Sequence, residues 1–235
     1  MRKTRKAAAV LTAVAMAAVS AAPVMADEIK DLYDYETQAR EVETWNILHS
    51  QNAADLNVLT NLYDGLVEAD EYGKVVPAIA ESWETEDNGI TWTFHLREGV
   101  KWVDQNGNEK GEVTAQDFLT GLEWILNFHK NDAANTSMPM EMIVGAEDYY
   151  NMTSELDADA GFALTAESPE FADTVGIKAI DDYTLQYTCV SEKPYFDTLG
   201  VKLLYPISQG MIDEIGVDGF KAATPENIWY NGCYT

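Results

Sequence analysis

Residue types able to do chemistry are present, but their spacing fails the patterns that chemistry needs. His49, His95 and His129 lie far apart, with no His-x-x-x-His or Cys-x-x-Cys pairing to announce zinc. They read as packed or solvated histidines. No Gly-x-Ser-x-Gly sets a serine on a strand-to-helix elbow, and no glycine-rich phosphate loop occurs. Asp157-x-Asp159-x-Gly161 resembles the start of a calcium loop, yet Phe162 stands where the turn glycine belongs and Ser168 where the bidentate glutamate belongs. Asp104-x-Asn106-x-Asn108 fails likewise, with Glu109 at the glycine position. Both read as solvated turns. Asn135-Thr136-Ser137 and Asn151-Met152-Thr153 match the glycosylation pattern, which is short enough to arise by chance. The expectation is a protein without cofactor or metal that is not an enzyme; the missing nucleophile and metal motifs argue against an exported hydrolase.

Cys189 and Cys233 are the two cysteines. A bridge between them would close a loop of about 45 residues and contribute roughly 3 to 4 kcal/mol on the chain-entropy model. Cys189 equally suits a small buried apolar position in an alternating strand, so both readings stand.

The N-terminus sets the compartment. Arg2, Lys3, Arg5 and Lys6 precede an uncharged run from Ala7 to Ala22, followed by Val24, Met25 and Ala26. That pattern is a secretory signal peptide, cleaved after Ala26, and the run is shorter than the roughly 20 apolar residues a spanning helix needs. No cysteine follows the run, so no lipid anchor is expected and the chain is placed in the periplasm or outside the cell. Losing four basic residues leaves 11 Lys and Arg against 40 Asp and Glu, a net charge of −29 rather than −25. Such a chain repels nucleic acid and anionic membrane surfaces. With 46% hydrophobic residues, the remaining part can bury a core of one or two domains.

Helical spacing of Leu56, Leu59, Leu62, Tyr63, Leu66 and Val67 predicts a helix over 55–68, with Asp55 as its cap. Trp92, Phe94 and Leu96 alternate with polar neighbours over 91–97, which predicts a half-buried strand. A second helix is predicted from Thr114, with Thr114 and Asp117 as a capping box and Phe118, Leu119, Leu122, Ile125 and Leu126 as its stripe. Val175, Ile177 and Ala179, then Tyr183, Leu185, Tyr187 and Cys189, predict a hairpin turning at Asp181-Asp182. Turn clusters fall at Asp87-Asn88-Gly89 and over 104–108. Strands interspersed with single helices indicate an α/β chain with mixed sheets, not a doubly wound parallel one.

Four spaced blocks carry a family resemblance: Leu62-Tyr63-Asp64-Gly65-Leu66, Val76-Pro77-Ala78-Ile79-Ala80-Glu81-Ser82-Trp83, the stretch Trp92 to Trp102, and Val113-Thr114-Ala115-Gln116-Asp117-Phe118. Their order and spacing resemble the oligopeptide- and dipeptide-binding proteins of ABC importers. Residues 175–184, Pro194-Tyr195-Phe196 and Tyr205-Pro206-Ile207 agree as well. The segment Val103 to Glu112 is longer than the family's usual turn, and Cys233 stands where Pro or Ala is commoner.

The resemblance implies the periplasmic-binding-protein fold, two lobes that close on an extended oligopeptide and present it to the membrane permease. Division of the chain would be 1–26 signal peptide, 27–63 first segment of lobe I, 64–226 side domain and 227–235 the return into lobe I, with the remainder and lobe II missing. The strand contacting the ligand backbone falls near Gln51, Asn52 and Ala53, and a loop leaning over the cleft near Ser137 and Met138. An ordinary polar loop leading to a helix cap, for Gln51 and Asn52, and apolar gap-filling, for Met138 and Met140, are the competing readings. An isolated 235-residue chain is expected to bind peptide weakly, and the full-length protein to be a monomer. Other solutes on the same fold are dipeptides, nickel chelates or oligosaccharides, for which Trp45 or Trp102 could stack on sugar rings; a secreted chaperone or receptor is a different class.

Overall fold

The computed structural model describes residues 41–50, 52–131, 136–201 and 203–232. The proposed signal segment, Gln51 and Cys233 lie outside them. In chain order the described elements are α1 (Ala53–Leu59), β1 (Val67–Ala69), β2 (Val75–Pro77), β3 (Ala80–Glu86), β4 (Thr91–Leu96), β5 (Lys101–Val103), β6 (Glu109–Glu112) and α2 (Ala115–Leu126). There follow α3 (Ser137–Met142), α4 (Ala146–Ser154), α5 (Ala158–Ala163), α6 (Pro169–Ala172), β7 (Ile177–Asp181), β8 (Thr184–Thr188), a 3-10 helix (Phe196–Val201) and α7 (Gln209–Lys221).

The main sheet has strand order β3-β4-β8-β7, and every described pairing in it is antiparallel. Its centre is built by period-2 alternation. Phe94 lies between Trp83 and Leu185 in the register, and Trp92 opposite Tyr187. One face therefore collects Trp92, Phe94, Leu96, Leu185 and Tyr187, all buried. Ring centroids of Phe94 and Tyr187 stand 6.0 Å apart, edge to face. Asp87 and Asn88 turn the β3–β4 hairpin at φ 50° and 56°, a conformation Asn and Asp tolerate. Gly89 follows at φ 91°, and a Cβ there would meet the Lys193 carbonyl at 2.6 Å. Only glycine fits.

The helix from Thr114 is α2, and it begins as the sequence indicates. Thr114 N–H donates to Asp117 Oδ2 at 2.8 Å, and Trp102 Nε1 donates to the same oxygen at 3.2 Å. The stretch 103–112, read from sequence as a lengthened loop, is a hairpin: β5 and β6 pair Lys101 with Glu112 and Trp102 with Gly111. Trp102 is 1% exposed, so its ring belongs to the core and not to a sugar site.

The first helix differs from its prediction. It ends at Leu59 instead of reaching residue 68, and its cap is Asn52, not Asp55. Beyond Thr60 the chain turns so that the Leu62 carbonyl accepts from Asn231 N–H (3.2 Å) and Gly232 N–H (2.9 Å), while Asn231 Oδ1 accepts from Asp64 N–H (3.2 Å). The apolar positions Leu62, Tyr63, Leu66 and Val67 still face the core, carried there by a turn and the start of β1. Gly65 permits the turn, since a Cβ would sit 2.7 Å from the Gly200 carbonyl oxygen.

Candidate functional site

Residues 43–50 and 52–55 are braced by side-chain hydrogen bonds from within and from remote elements. Asp55, 1% exposed, collects three donors: Glu43 N–H at 2.8 Å, Ser50 Oγ at 3.2 Å and Asn52 Nδ2 at 2.8 Å. Asn52 Oδ1 accepts from Asp55 N–H at 2.9 Å and so caps α1, leaving the two side chains bonded reciprocally. Further back, Asn46 is wholly buried. Its Nδ2 donates to the Phe220 carbonyl on α7 at 2.9 Å, and its Oδ1 accepts from Leu48 N–H at 3.0 Å. Between these anchors, Trp124 of α2 donates its indole N–H to His49 Nε2 at 2.9 Å.

Behind Trp124 lies a buried polar network. Glu123 and Lys130, 2% and 4% exposed at the side chain, form an ion pair at 2.7 Å. Glu123 Oε1 also accepts from Tyr149 OH (2.8 Å) and Asn127 Nδ2 (2.9 Å). Lys130 donates further to the Leu164 carbonyl, and Asn127 to the Gly161 carbonyl at 2.8 Å. One carboxylate thereby joins α2, α4 and the α5 end. Lys130 Nζ stands 5.8 Å from the centroid of the Trp124 ring, so the network backs directly onto the residue that holds His49.

Of the residues the sequence points to, Asn52 and Ala53 lie together at the N-terminus of α1, the first half-buried and the second exposed. Gln51, between Ser50 and Asn52, lies outside the described residues. Both ends of the Asn52 side chain serve the capping arrangement. Ser137 is exposed at the start of α3, while Met138 packs against the core beside Met140. No described hydrogen bond joins the α1 pair to the α3 pair. Cys189 is buried as a free thiol in the structure, its pKa pushed up to about 11 by burial; Cys233 lies outside the described residues. The sequence reading missed the reciprocal Asn52–Asp55 pairing, which the spacing Asn-x-x-Asp could have announced.

Two adjoining clefts, of about 400 and 290 Å³, lie between the β1–β2 hairpin and the 3-10 helix, and neither includes the residues just named. The larger is apolar, lined by Ala69, Val75, Leu199, Val201 and Leu203. The smaller carries Asp64, Glu68 and Tyr205. Burial, and then the Glu68 charge, raises the Asp64 carboxyl above its usual range, and burial pushes Tyr205 up to about 12. Among the described residues no group of three His, Cys, Asp or Glu side chains is placed to hold a metal, and no helix is long and apolar enough to cross a membrane. The acidic loops have local tasks: Asp157 caps α5 through Ala160 N–H, and Asp104 accepts from the N–H groups of Asn106 and Asn108.

Residues 74–235 match the middle region of the bacterial extracellular solute-binding proteins, family 5, and the chain belongs to that family. It is 34% identical over 201 residues to the oligopeptide-binding protein AliB of Streptococcus pneumoniae, covering 85% of this chain and 28% of that one. The substrate-binding domain of an oligopeptide ABC transporter from Bacillus anthracis superposes with a TM-score of 0.66 at 27% identity, over 84% of this chain and 33% of that one. OppA of Haemophilus influenzae, solved with the peptide RPPGFSPFR, gives 0.64 at 27% identity over 82% and 33%. The chain thus spans about a third of the length of these relatives.

Proposed function

We propose that this chain is part of the extracytoplasmic solute-binding component of an ABC importer, and that the protein binds oligopeptides in extended form. The observation that carries this reading is the shared fold with a solved peptide-bound relative, at 27% identity and a TM-score of 0.64. Extended peptide would be held mainly through its backbone, like an added strand, by residues 51–53, with Ser137 and Met138 on the facing side. Closure of two lobes would present the peptide to the permease, a hinge transition driven by tighter binding to the closed state. No bond in the solute is broken. The division 27–63, 64–226 and 227–235, a leader cleaved after Ala26 and a monomeric full-length protein belong to the same proposal.

Calorimetry tests the function. A tri- to pentapeptide library is titrated into the 235-residue chain and into the longest product of its reading frame, with dipeptides, a nickel chelate and an oligosaccharide in parallel. Submicromolar peptide binding is expected where a second lobe is present. A preference for the chelate or the sugar would reassign the solute, and submicromolar binding by the 235-residue chain would show that one lobe suffices.

A further inference from the structure

We infer that His49 is a positioning residue for Ser50 and Asn52, and that Trp124 holds it only while its Nε2 is unprotonated. An indole N–H donates and never accepts. The 2.9 Å contact therefore requires a lone pair on His49 Nε2, whichever proton the other ring nitrogen carries. Protonation would set two N–H donors against each other. Trp124 cannot turn away to relieve the clash. It is fully buried, stacked edge to face on Phe220 at 4.6 Å, with the His49 ring 6.1 Å away and tilted by 31°.

Among the described residues, charged groups lie on and just after α2, on α7 and on the segment itself. Glu123 and Lys130 neutralise each other as an ion pair at 2.7 Å, with the ammonium 5.8 Å from the Trp124 ring. Lys221 of α7 donates to the His129 carbonyl at 2.7 Å. On the segment itself, the Asp55 carboxylate serves Glu43 N–H, Ser50 and Asn52, and Glu43 Oε2 lies 3.4 Å from Asn52 Nδ2. What the contact secures is the turn in which His49 N–H and Ser50 N–H donate to the Asn46 carbonyl at 3.0 and 3.2 Å. Its functional meaning rests on reading 51–53 as ligand-contacting.

Amide hydrogen exchange on the 235-residue chain, without peptide, tests it at pH 7.5 and 5.0 after correction for intrinsic rates. Protection of the His49 and Ser50 amides is expected to fall by about tenfold at pH 5.0, the net worth of one hydrogen bond. Amides of Trp92 and Phe94 in β4 should show no such fall. His49→Gln, which offers an acceptor that does not titrate, should give the same protection at both pH values. Unchanged protection in the wild type, or a fall that persists in His49→Gln, overturns the proposal. Because no peptide enters the measurement, failure of the peptide-binding reading would leave this result standing, and the reverse also holds.

Discussion

Helix α2 carries a buried carboxylate near each end, and the two are held by opposite means. Glu123, towards the C-terminus, has a cation: Lys130 at 2.7 Å, with Tyr149 and Asn127 completing its shell. Asp117, at the N-terminus, has only neutral donors among the described residues, Thr114 and the Trp102 indole. The cationic end ties together segments far apart in sequence and backs the Trp124 that grips His49. The neutral end fixes one turn and one hairpin and leaves its charge incompletely compensated. A buried charge with a partner organises distant chain, whereas one without a partner makes stability depend on pH.

Breaking the pair should have the largest effect. Lys130→Met leaves the Glu123 carboxylate buried without its ammonium and is expected to lower unfolding free energy by about 3 to 5 kcal/mol. Urea unfolding followed by circular dichroism measures it. Adding Glu123→Gln, which keeps acceptors for Tyr149 and Asn127 but removes the charge, should recover much of the loss. A deficit below ~1 kcal/mol for Lys130→Met alone would erase the distinction between the two ends.

At the other end the effect is a pH dependence. Burial raises Asp117 from 3.8 to about 6, against the opposing pull of the Thr114 and Trp102 hydrogen bonds. A carboxyl that protonates more readily folded than unfolded favours the fold when protonated. Its contribution is complete below about pH 4 and is lost as pH rises through about 6. That shift corresponds to about 2 to 3 kcal/mol. Asp117→Asn is expected to show no such decline between pH 4 and 6, so the difference in Tm between wild type and variant should change across that window and stay constant above pH 7. A constant difference throughout would mean that the neutral donors compensate the charge fully.

Legibility follows the same division between local and distant partners. Strand β4 and the β7–β8 hairpin were readable because alternation is a local pattern, and α2 because Thr114 and Asp117 sit three residues apart. The end of α1 was not readable. Leu62 and Tyr63 keep the helical period, but the bonds that break the helix come from Asn231 and Gly232, some 170 residues away. The family was legible from four spaced blocks, and the location of 51–53 only through that resemblance. The contacts bracing the site were hidden for the same physical reason: Trp124 and Phe220 reach His49 and Asn46 from remote elements, and no spacing within 43–55 announces them.

The smallest expected effect falls on the candidate site. Asn52→Ala removes the acceptor for Asp55 N–H and one of three donors to the Asp55 carboxylate, which retains Glu43 N–H and Ser50. Loss of an N-cap of this kind costs about 1 kcal/mol, readable as a shift in the urea midpoint with an unchanged slope. Asn52→Ser supplies a cap acceptor again and should recover most of that stability, though not the second bond to Asp55. Peptide affinity, measured on a product that binds peptide, then separates the two readings of Asn52. If the residue only caps α1, affinity returns along with stability in the serine variant. If its side chain also meets the ligand, stability returns and affinity does not.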